Sequence, residues 1–340
     1  MKEKIEISVI LPMFNEEENV FSTLERLRIA LLPLTPHWEI IVVDDGSTDK
    51  TKNRVEEFIQ RENRVKIFSY FPNCGRGKAL RVGFNKAQGE IICSTDADLS
   101  YEESHIVKMF KILKENPNYD LVIGSPYISG GKTENVPLFR LWFSKCGNKL
   151  LSFAMDKNFT TITGVLRAYR KGCIKSLELE SDGKEIHLEI LSKALALGYK
   201  AFEMPAILSQ RKKGKSKFKF KATAVSHIIF SLYEKPMMLF GLIGIGLISA
   251  GLLAGIYVLY LWQTAVLNPN RPLMTLLVLL VLSGMQVLFF GFIGTQLVHL
   301  RKEIYKIQKE NKILENNLSE VAEKLEDIKT EKKKEIAFNE

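Results

Sequence analysis

Three short clusters of acids and amides stand out in the 340-residue chain: Phe14-Asn15-Glu16, Asp44-Asp45 and Asp96-Ala97-Asp98. Carboxylates gathered without matching cations attract a divalent metal. Hard oxygen ligands of this kind suit Mg2+ or Mn2+, which in turn bind diphosphates. Asp96 and Asp98 both reach one ion if the chain there has already left its strand for a loop. A lone Asp-x-Asp arises often by chance, and two further acidic clusters beside it give it weight. Asp44-Asp45-Gly46-Ser47 also reads as a turn in which Ser47 or Thr48 caps the next helix. Gly75-Arg76-Gly77-Lys78 reads as a loop and helix start whose glycines and Lys78 also suit a phosphate. Its spacing is not that of a Walker A loop.

Other chemistries find little support. Cys74, Cys93, Cys146 and Cys173 form no CxxC pair, so reduced thiols are expected rather than a zinc site or a disulfide framework. The five histidines are scattered, and His187 with Glu189 is too little for a metal pair. No Ser, Cys or His arrangement for nucleophilic catalysis is evident.

The acidic clusters must be delivered by strands. Ile5–Leu11, Glu39–Val43, Val65–Ser69 and Glu90–Ser94 read as strands. Glu17–Leu32, Lys50–Glu62 and Lys78–Ala87 read as helices between them. Strand–helix alternation implies a mainly parallel sheet with helices on its faces, and such sheets bind ligands at the carboxyl ends of their strands. Each acidic cluster sits at such an end.

Beyond residue 230 the composition changes. Pro236–Trp262 and Pro272–Val298 each run 27 residues without a charge. As helices they span about 40 Å, more than the hydrocarbon core of a bilayer. Gly251 and Gly255 form a GxxxG that permits close helix contact. Seven basic residues between Arg211 and Lys221, part of a net charge of +9, precede the first run, and Arg301, Lys302 and Lys306 follow the second. This bias predicts a multi-pass integral protein of the cytoplasmic membrane with both termini cytoplasmic. One short basic segment argues against a nucleic-acid surface. Ile304, Asn311, Leu318 and Leu325 recur every seven residues beside Ile307, Leu314, Val321 and Ile328. This a/d pattern predicts a self-associating coiled coil of open orientation, because Glu310–Glu315 and Lys324–Lys329 set like charges together in a parallel pair.

Ile10-Leu11-Pro12-Met13-Phe14-Asn15-Glu16-Glu17, Val42-Val43-Asp44-Asp45-Gly46-Ser47-Thr48-Asp49, Asp96-Ala97-Asp98-Leu99-Ser100 and Thr163-Gly164-Val165-Leu166-Arg167-Ala168-Tyr169 resemble the family 2 glycosyltransferases of GT-A fold. Arg211-Lys212-Lys213-Gly214-Lys215-Ser216-Lys217 is similar to the RxxGxSK loop of the dolichyl-phosphate mannose synthase branch. Two apolar segments after the domain also resemble the polyprenyl-phosphate glycosyltransferases. The fold class implied is α/β. A GT-A nucleotide-sugar transferase domain would occupy residues 1–230, a membrane domain 231–298 and a coiled-coil tail 299–335.

The resemblance implies roles. Pro12, Phe14, Asn15, Glu16, Asp44 and Asp45 would hold the base and ribose, and Asp96 and Asp98 the metal and diphosphate. Arg211, Ser216 and Lys217 would close over the phosphates. Arg140 would receive the lipid phosphate. The family carries Gly-Ser-Arg-Tyr where this chain has Gly124-Ser125-Pro126-Tyr127, so a second arginine is missing and Lys132 or Lys145 is left to substitute. Glu189 falls where related enzymes carry an acid near the acceptor. The expected activity is an inverting, metal-dependent transfer of a sugar from a nucleoside-diphosphate sugar to a polyprenyl phosphate. A polysaccharide or glycolipid acceptor, or a catalytically weak coiled-coil scaffold, are the alternatives.

Overall fold

The computed structural model describes residues 4–98, 100–134, 141, 144–145, 147–149, 152, 159–209, 235–264 and 272–339. Arg140, Cys146, Arg211, Ser216 and Lys217, on which sequence expectations fell, lie outside the described residues.

Seven strands build one sheet in the order β3-β2-β1-β4-β7-β5-β8. They are β1 Ile7–Met13, β2 Trp38–Asp45, β3 Val65–Tyr70, β4 Ile91–Ser94, β5 Leu121–Ser125, β7 Arg167–Arg170 and β8 Ala201–Pro205. A small parallel pair, β6 Lys132–Glu134 and β9 Ile207–Ser209, stands apart. The first four strands are parallel, β7 runs antiparallel to both β4 and β5, and β8 is parallel to β5. The sheet is therefore mainly parallel, as expected. β1 is flanked by β2 on one side and β4 on the other, so the connections reverse direction there and open a crevice at the carboxyl ends of β1 and β4.

Helices α1 Val20–Leu31, α2 Thr51–Ile59, α3 Arg76–Lys86 and α4 Ser104–Glu115 cover the sheet, followed by the short α5 Lys171–Lys175 and by α6 Ile186–Ala196. Every residue of β2 is buried, because helices cover both faces of a central parallel strand. Its one acid before the strand end, Glu39, is compensated. It accepts from Ser8 Oγ at 2.6 Å, Lys66 Nζ at 2.7 Å and the Gln88 N–H at 2.8 Å. α3 lies close on β1, where a Cβ on Gly83 would stand 2.4 Å from Ile10 Cγ2.

The strands run later than the sequence pattern suggests. β1 continues through Pro12 to Met13 and β2 through Asp45, while α3 starts at Arg76 rather than Lys78. Pro12 costs the sheet nothing decisive: it stays in register with Val43, and Met13 beyond it with Asp44.

Two long helices follow; the first, and the second as far as Glu303, form a unit of their own, and the second from Ile304 onward belongs with the sheet. Helix α7 spans Pro236–Gln263 and α8 spans Pro272–Asn339. Sequence reading separated a second apolar helix from the tail. The structure makes them one helix, because nothing at Val298–Ile304 breaks the backbone and the polar residues there are good helix formers. Gly244 and Gly284 face each other across α7 and α8: a Cβ on Gly244 would lie 2.9 Å from the Gly284 carbonyl. Gly251 and Gly255 face Val281 and Leu277, so the GxxxG serves this hairpin.

Candidate active site

The crevice between β1 and β4 is built by zipping three loops together. Asn15 follows β1 with φ +52°, a left-handed conformation that Asn tolerates better than most residues. Its Oδ1 accepts the Thr48 N–H at 2.8 Å, and its own N–H donates to Ser47 Oγ at 2.9 Å. The Glu16 N–H donates to Thr51 Oγ1 at 2.8 Å. Thus Asn15 and Glu16 fasten the end of β1 to the end of β2. Asp44 accepts the Ser47 N–H at 3.1 Å, forming the turn that the sequence suggested. The capping half of that suggestion is not seen. Helix α2 begins after Lys50, and Asp49 Oδ1 accepts the Thr51 N–H at 2.9 Å.

Asp45 is only 4% exposed, and its carboxylate is already engaged. It accepts Asn73 Nδ2 at 2.8 Å and the Cys74 and Gly75 N–H groups at 2.8 and 2.9 Å. It orders the loop that leads into α3. Lys78, expected to face a phosphate, donates to Cys74 Sγ at 3.3 Å and sits 4.9 Å from the centre of the Tyr70 ring. The Gly77 and Lys78 N–H groups at the start of α3 do not form an open anion cradle. Both donate to the Asp182 carbonyl, at 2.7 and 3.3 Å. A Cβ on Gly77 would stand 2.3 Å from the Ser181 carbonyl, so this glycine exists for close backbone approach.

Asp96 and Asp98 follow β4, where the chain has already left the strand, as their proposed joint role requires. Thr23 of α1 donates to the Ala97 carbonyl between them. Asp98 Oδ1 accepts the Ser100 N–H at 3.0 Å and Ser100 Oγ at 2.5 Å. Asp96 is ion-paired with Arg76. The sequence suggested carboxylates without matching cations, and this pairing corrects that: Arg76, at the first turn of α3, is the cation. Its type and its place beside Gly75 were visible in the sequence, but the contact across 20 residues was not.

Among the described residues no group of three or more His, Cys, Asp or Glu side chains is poised around a metal. Two hard carboxylates still fit Mg2+ or Mn2+, which keep several waters and bind through one or two carboxylates plus substrate phosphates.

Glu189, expected near the acceptor, has its carboxylate already engaged. It accepts the Glu180 and Ser181 N–H groups at 2.9 Å each and Lys193 Nζ at 2.7 Å. Burial alone would raise its carboxyl. The Lys193 and Ser181 hydrogen bonds outweigh that and hold it below the ordinary glutamate value. Arg167, fully buried on β7, lies in register with Ser94, the last residue of β4. Its guanidinium donates to the carbonyls of Gly164 at 2.9 Å, His187 at 2.6 Å, and Ile162. Glu203 accepts the Thr160 and Thr161 N–H groups at 2.9 and 2.7 Å. Sequence reasoning assigned neither Arg167 nor Glu203 a task, since carbonyl and amide partners leave no residue-type signature. Cys93 is buried and its thiol is pushed up to about 12, which removes it as a nucleophile.

Comparison with known proteins agrees with this architecture. A dolichol-phosphate mannosyltransferase of Pyrococcus furiosus is 33% identical over 219 residues, covering 64% of this chain and 60% of that one. A dodecaprenyl-phosphate galacturonate synthase of Rhizobium johnstonii is 29% identical over 307 residues, covering 86% of this chain and 87% of that one. The glucosyl-3-phosphoglycerate synthase of Mycobacterium tuberculosis, solved with Mn2+, uridine diphosphate and phosphoglyceric acid, shares the fold. Its TM-score is 0.52 at 20% identity, over 68% of this chain and 79% of that one. The GT-A fold that the motifs implied is thereby established. The profile of glycosyl transferase family 2 matches residues 8–177, half of the sequence, and the chain belongs to that family.

Proposed function

We propose that this glycosyltransferase moves a sugar from a nucleoside-diphosphate donor to a polyprenyl phosphate at a membrane surface. The observation that carries this reading is the convergence of the β1, β2 and β4 ends on one crevice holding Asp96 and Asp98. Ser209, the last residue described before the basic segment, stands beside that crevice. The Ser209 N–H donates to the Ser100 carbonyl at 2.9 Å, and Ser100 in turn holds Asp98. The acceptors named for the Pyrococcus and Rhizobium relatives support a lipid phosphate here.

In the reaction, an oxygen of the acceptor phosphate attacks the anomeric carbon. The bond to the donor diphosphate breaks with its electron pair, the nucleoside diphosphate departs, and the configuration inverts. The attacking group is already anionic, so no strong general base is required. Asp96 and Asp98 would hold Mg2+ or Mn2+, which when bound supplies positive charge to the departing diphosphate. Pro12, Phe14, Asn15, Glu16 and Asp44 would hold the base and ribose, with Asp45 acting through the loop it orders. Arg76 adds a fixed cation beside Asp96. Arg211, Ser216 and Lys217 would cover the phosphates. Arg140 would take the acceptor phosphate, with Lys132 on β6, or Lys145 over the Tyr127 ring at 5.8 Å, as its companion.

Helices α7 and α8 suit this acceptor. Each is long and apolar enough to cross a membrane, yet only 11% of its most apolar window is buried. A core helix of a water-soluble protein would be mostly covered. Leu242, Leu253 and Trp262 are 75%, 68% and 67% exposed, and such apolar surface gains about 25 cal/mol per Å2 on leaving water. The charge bias supports a topology with both termini on the cytoplasmic side. The heptad residues of α8 support self-association. Ile304, Ile307, Leu314 and Leu318 are exposed, while Tyr305 and Lys309 on the opposite side of the helix rest on the catalytic domain.

The test is a donor screen with the full chain in detergent, offering UDP-glucose, UDP-N-acetylglucosamine and GDP-mannose with a short polyprenyl phosphate and Mn2+. Label should appear in an acid-labile lipid product, and Asp98→Ala should lower turnover by three orders of magnitude or more without loss of the folded domain. Label transferred to polysaccharide or diacylglycerol instead, or full turnover by the variant, overturns the reading.

A further inference from the structure

Lys193, in the last turn of α6, is only 6% exposed, a rare setting for a lysine unless its charge is compensated. Its ammonium donates to Glu189 Oε1 at 2.7 Å and to the Glu178 carbonyl, and it sits 5.0 Å from the centre of the Tyr305 ring of α8. A second contact of the same kind lies one helical turn away. Lys309 donates to the Leu197 carbonyl at 3.3 Å and lies 4.1 Å over the Tyr199 ring. The segment of α8 after residue 304 therefore rests on the end of α6 through Tyr305 and Lys309, which share one helix face.

The other side of Lys193 leads toward the crevice. Glu189, held by Lys193, fixes the Glu180 and Ser181 N–H groups. The next residue, Asp182, caps the start of α3 with its carbonyl, and Gly77 leaves no space for this turn to shift inward. α3 opens with Arg76, which pairs with Asp96. Each link is a cation–ring contact, a hydrogen bond, an ion pair, a steric contact or a peptide bond, and the series runs without a gap from Tyr305 to Asp96.

We propose that Lys193 is a positioning residue for the donor site. By gripping Glu189 on one side and the Tyr305 ring on the other, it ties the seating of α8 to the turn that sets Arg76 against Asp96. The consequence for donor binding rests on the glycosyltransferase reading above. The mechanical link does not. A buried apolar side chain at position 193 would pack α8 equally well, but it would leave Glu189 without its cation and the 180–182 turn without its anchor. Movement of α8 then reaches the phosphate end of the crevice through charge rather than through general packing.

Two measurements on the full chain in detergent test this. In hydrogen exchange read by mass spectrometry, Tyr305→Leu should raise exchange of the Gly77 and Lys78 amides at least fivefold while β1 and β2 amides keep their protection. Tyr305→Phe, which keeps the ring, should restore the wild-type rates, and Lys193→Arg should protect these amides better than Lys193→Met. In the transfer assay, Tyr305→Leu should raise the donor KM three- to tenfold and leave kcat within twofold. Unchanged exchange at Gly77 and Lys78 in Tyr305→Leu overturns the link, even if Lys193→Met fails to fold. Raised exchange in a protein that transfers none of the offered sugars leaves the link standing and removes the proposed transfer to polyprenyl phosphate instead.

Discussion

The guanidinium of Arg76, the first residue of α3, is paired with the carboxylate of Asp96, the first acid after β4. Both side chains are partly exposed, so the pair contributes little to stability, about 1 kcal/mol or less. Its effect is on ligands. With Arg76 in place, a divalent ion must compete for Asp96, and a diphosphate gains a counter-charge. Arg76→Met should therefore tighten Mn2+ binding several-fold without nucleotide and raise the donor KM roughly tenfold, equivalent to about 1.4 kcal/mol. Titration of Mn2+ by electron paramagnetic resonance, beside donor kinetics, measures both. Weakened Mn2+ binding would show that Arg76 supports the ion rather than competing with it.

Asn15 combines a left-handed backbone with the hydrogen bond to Thr48 that closes the β1 and β2 loops. Asn15→Gly loses the bond and keeps the backbone conformation. Asn15→Ala loses the bond and adds strain of about 1 kcal/mol or more. Thermal unfolding should rank wild type above Asn15→Gly above Asn15→Ala, and both variants should bind donor more weakly. An alanine variant as stable as the glycine variant would contradict the strained geometry.

His187 is buried beside Arg167, with neither ring nitrogen hydrogen-bonded among the described residues. Burial, with the nearby Arg167 and Arg76 charges, pushes its pKa well below 6.5. The unfolded chain therefore takes up a proton that the folded chain refuses. Stability is unaffected by this group above about pH 6.5 and falls as pH drops below it, until the folded pKa is reached. His187→Phe should flatten the loss of stability between about pH 6.5 and 5 and leave the Arg167 bond to the backbone carbonyl intact. Parallel pH profiles for the two proteins would exclude an uncharged buried imidazole.

The seam on α8 bears on assembly. Because α8 is one helix from the apolar segment to Asn339, two copies inserted the same way in one membrane carry their tails in parallel. Parallel tails place Glu310 near Glu315 and Lys324 near Lys329, so screening should help them associate. Light scattering in detergent should show oligomers that tighten between low and moderate salt. Replacing Leu314 and Leu318 together by Glu should give monomers that still transfer sugar. Loosening with salt, or oligomers that survive the double substitution, would exclude this seam.

By itself the sequence determined the broad plan. Strand–helix alternation, acids at strand ends and two uncharged blocks follow from residue periodicity and polarity, which are local properties of the chain. The run of hydrophobic residues from Ile40 to Val43 already read as a strand of a helix-covered parallel sheet, and every residue of that strand is buried. The tertiary structure decided which charges meet. The Arg76–Asp96 pair and the engagement of Asp45 by the loop before α3 join residues 20 or more apart in the chain. A carboxylate's duty depends on which donors the fold brings within about 3 Å of it, and no spacing along the chain encodes that distance. The continuity of α8 was legible in part: the heptads were visible, but only the folded helix carries Tyr305 onto Lys193.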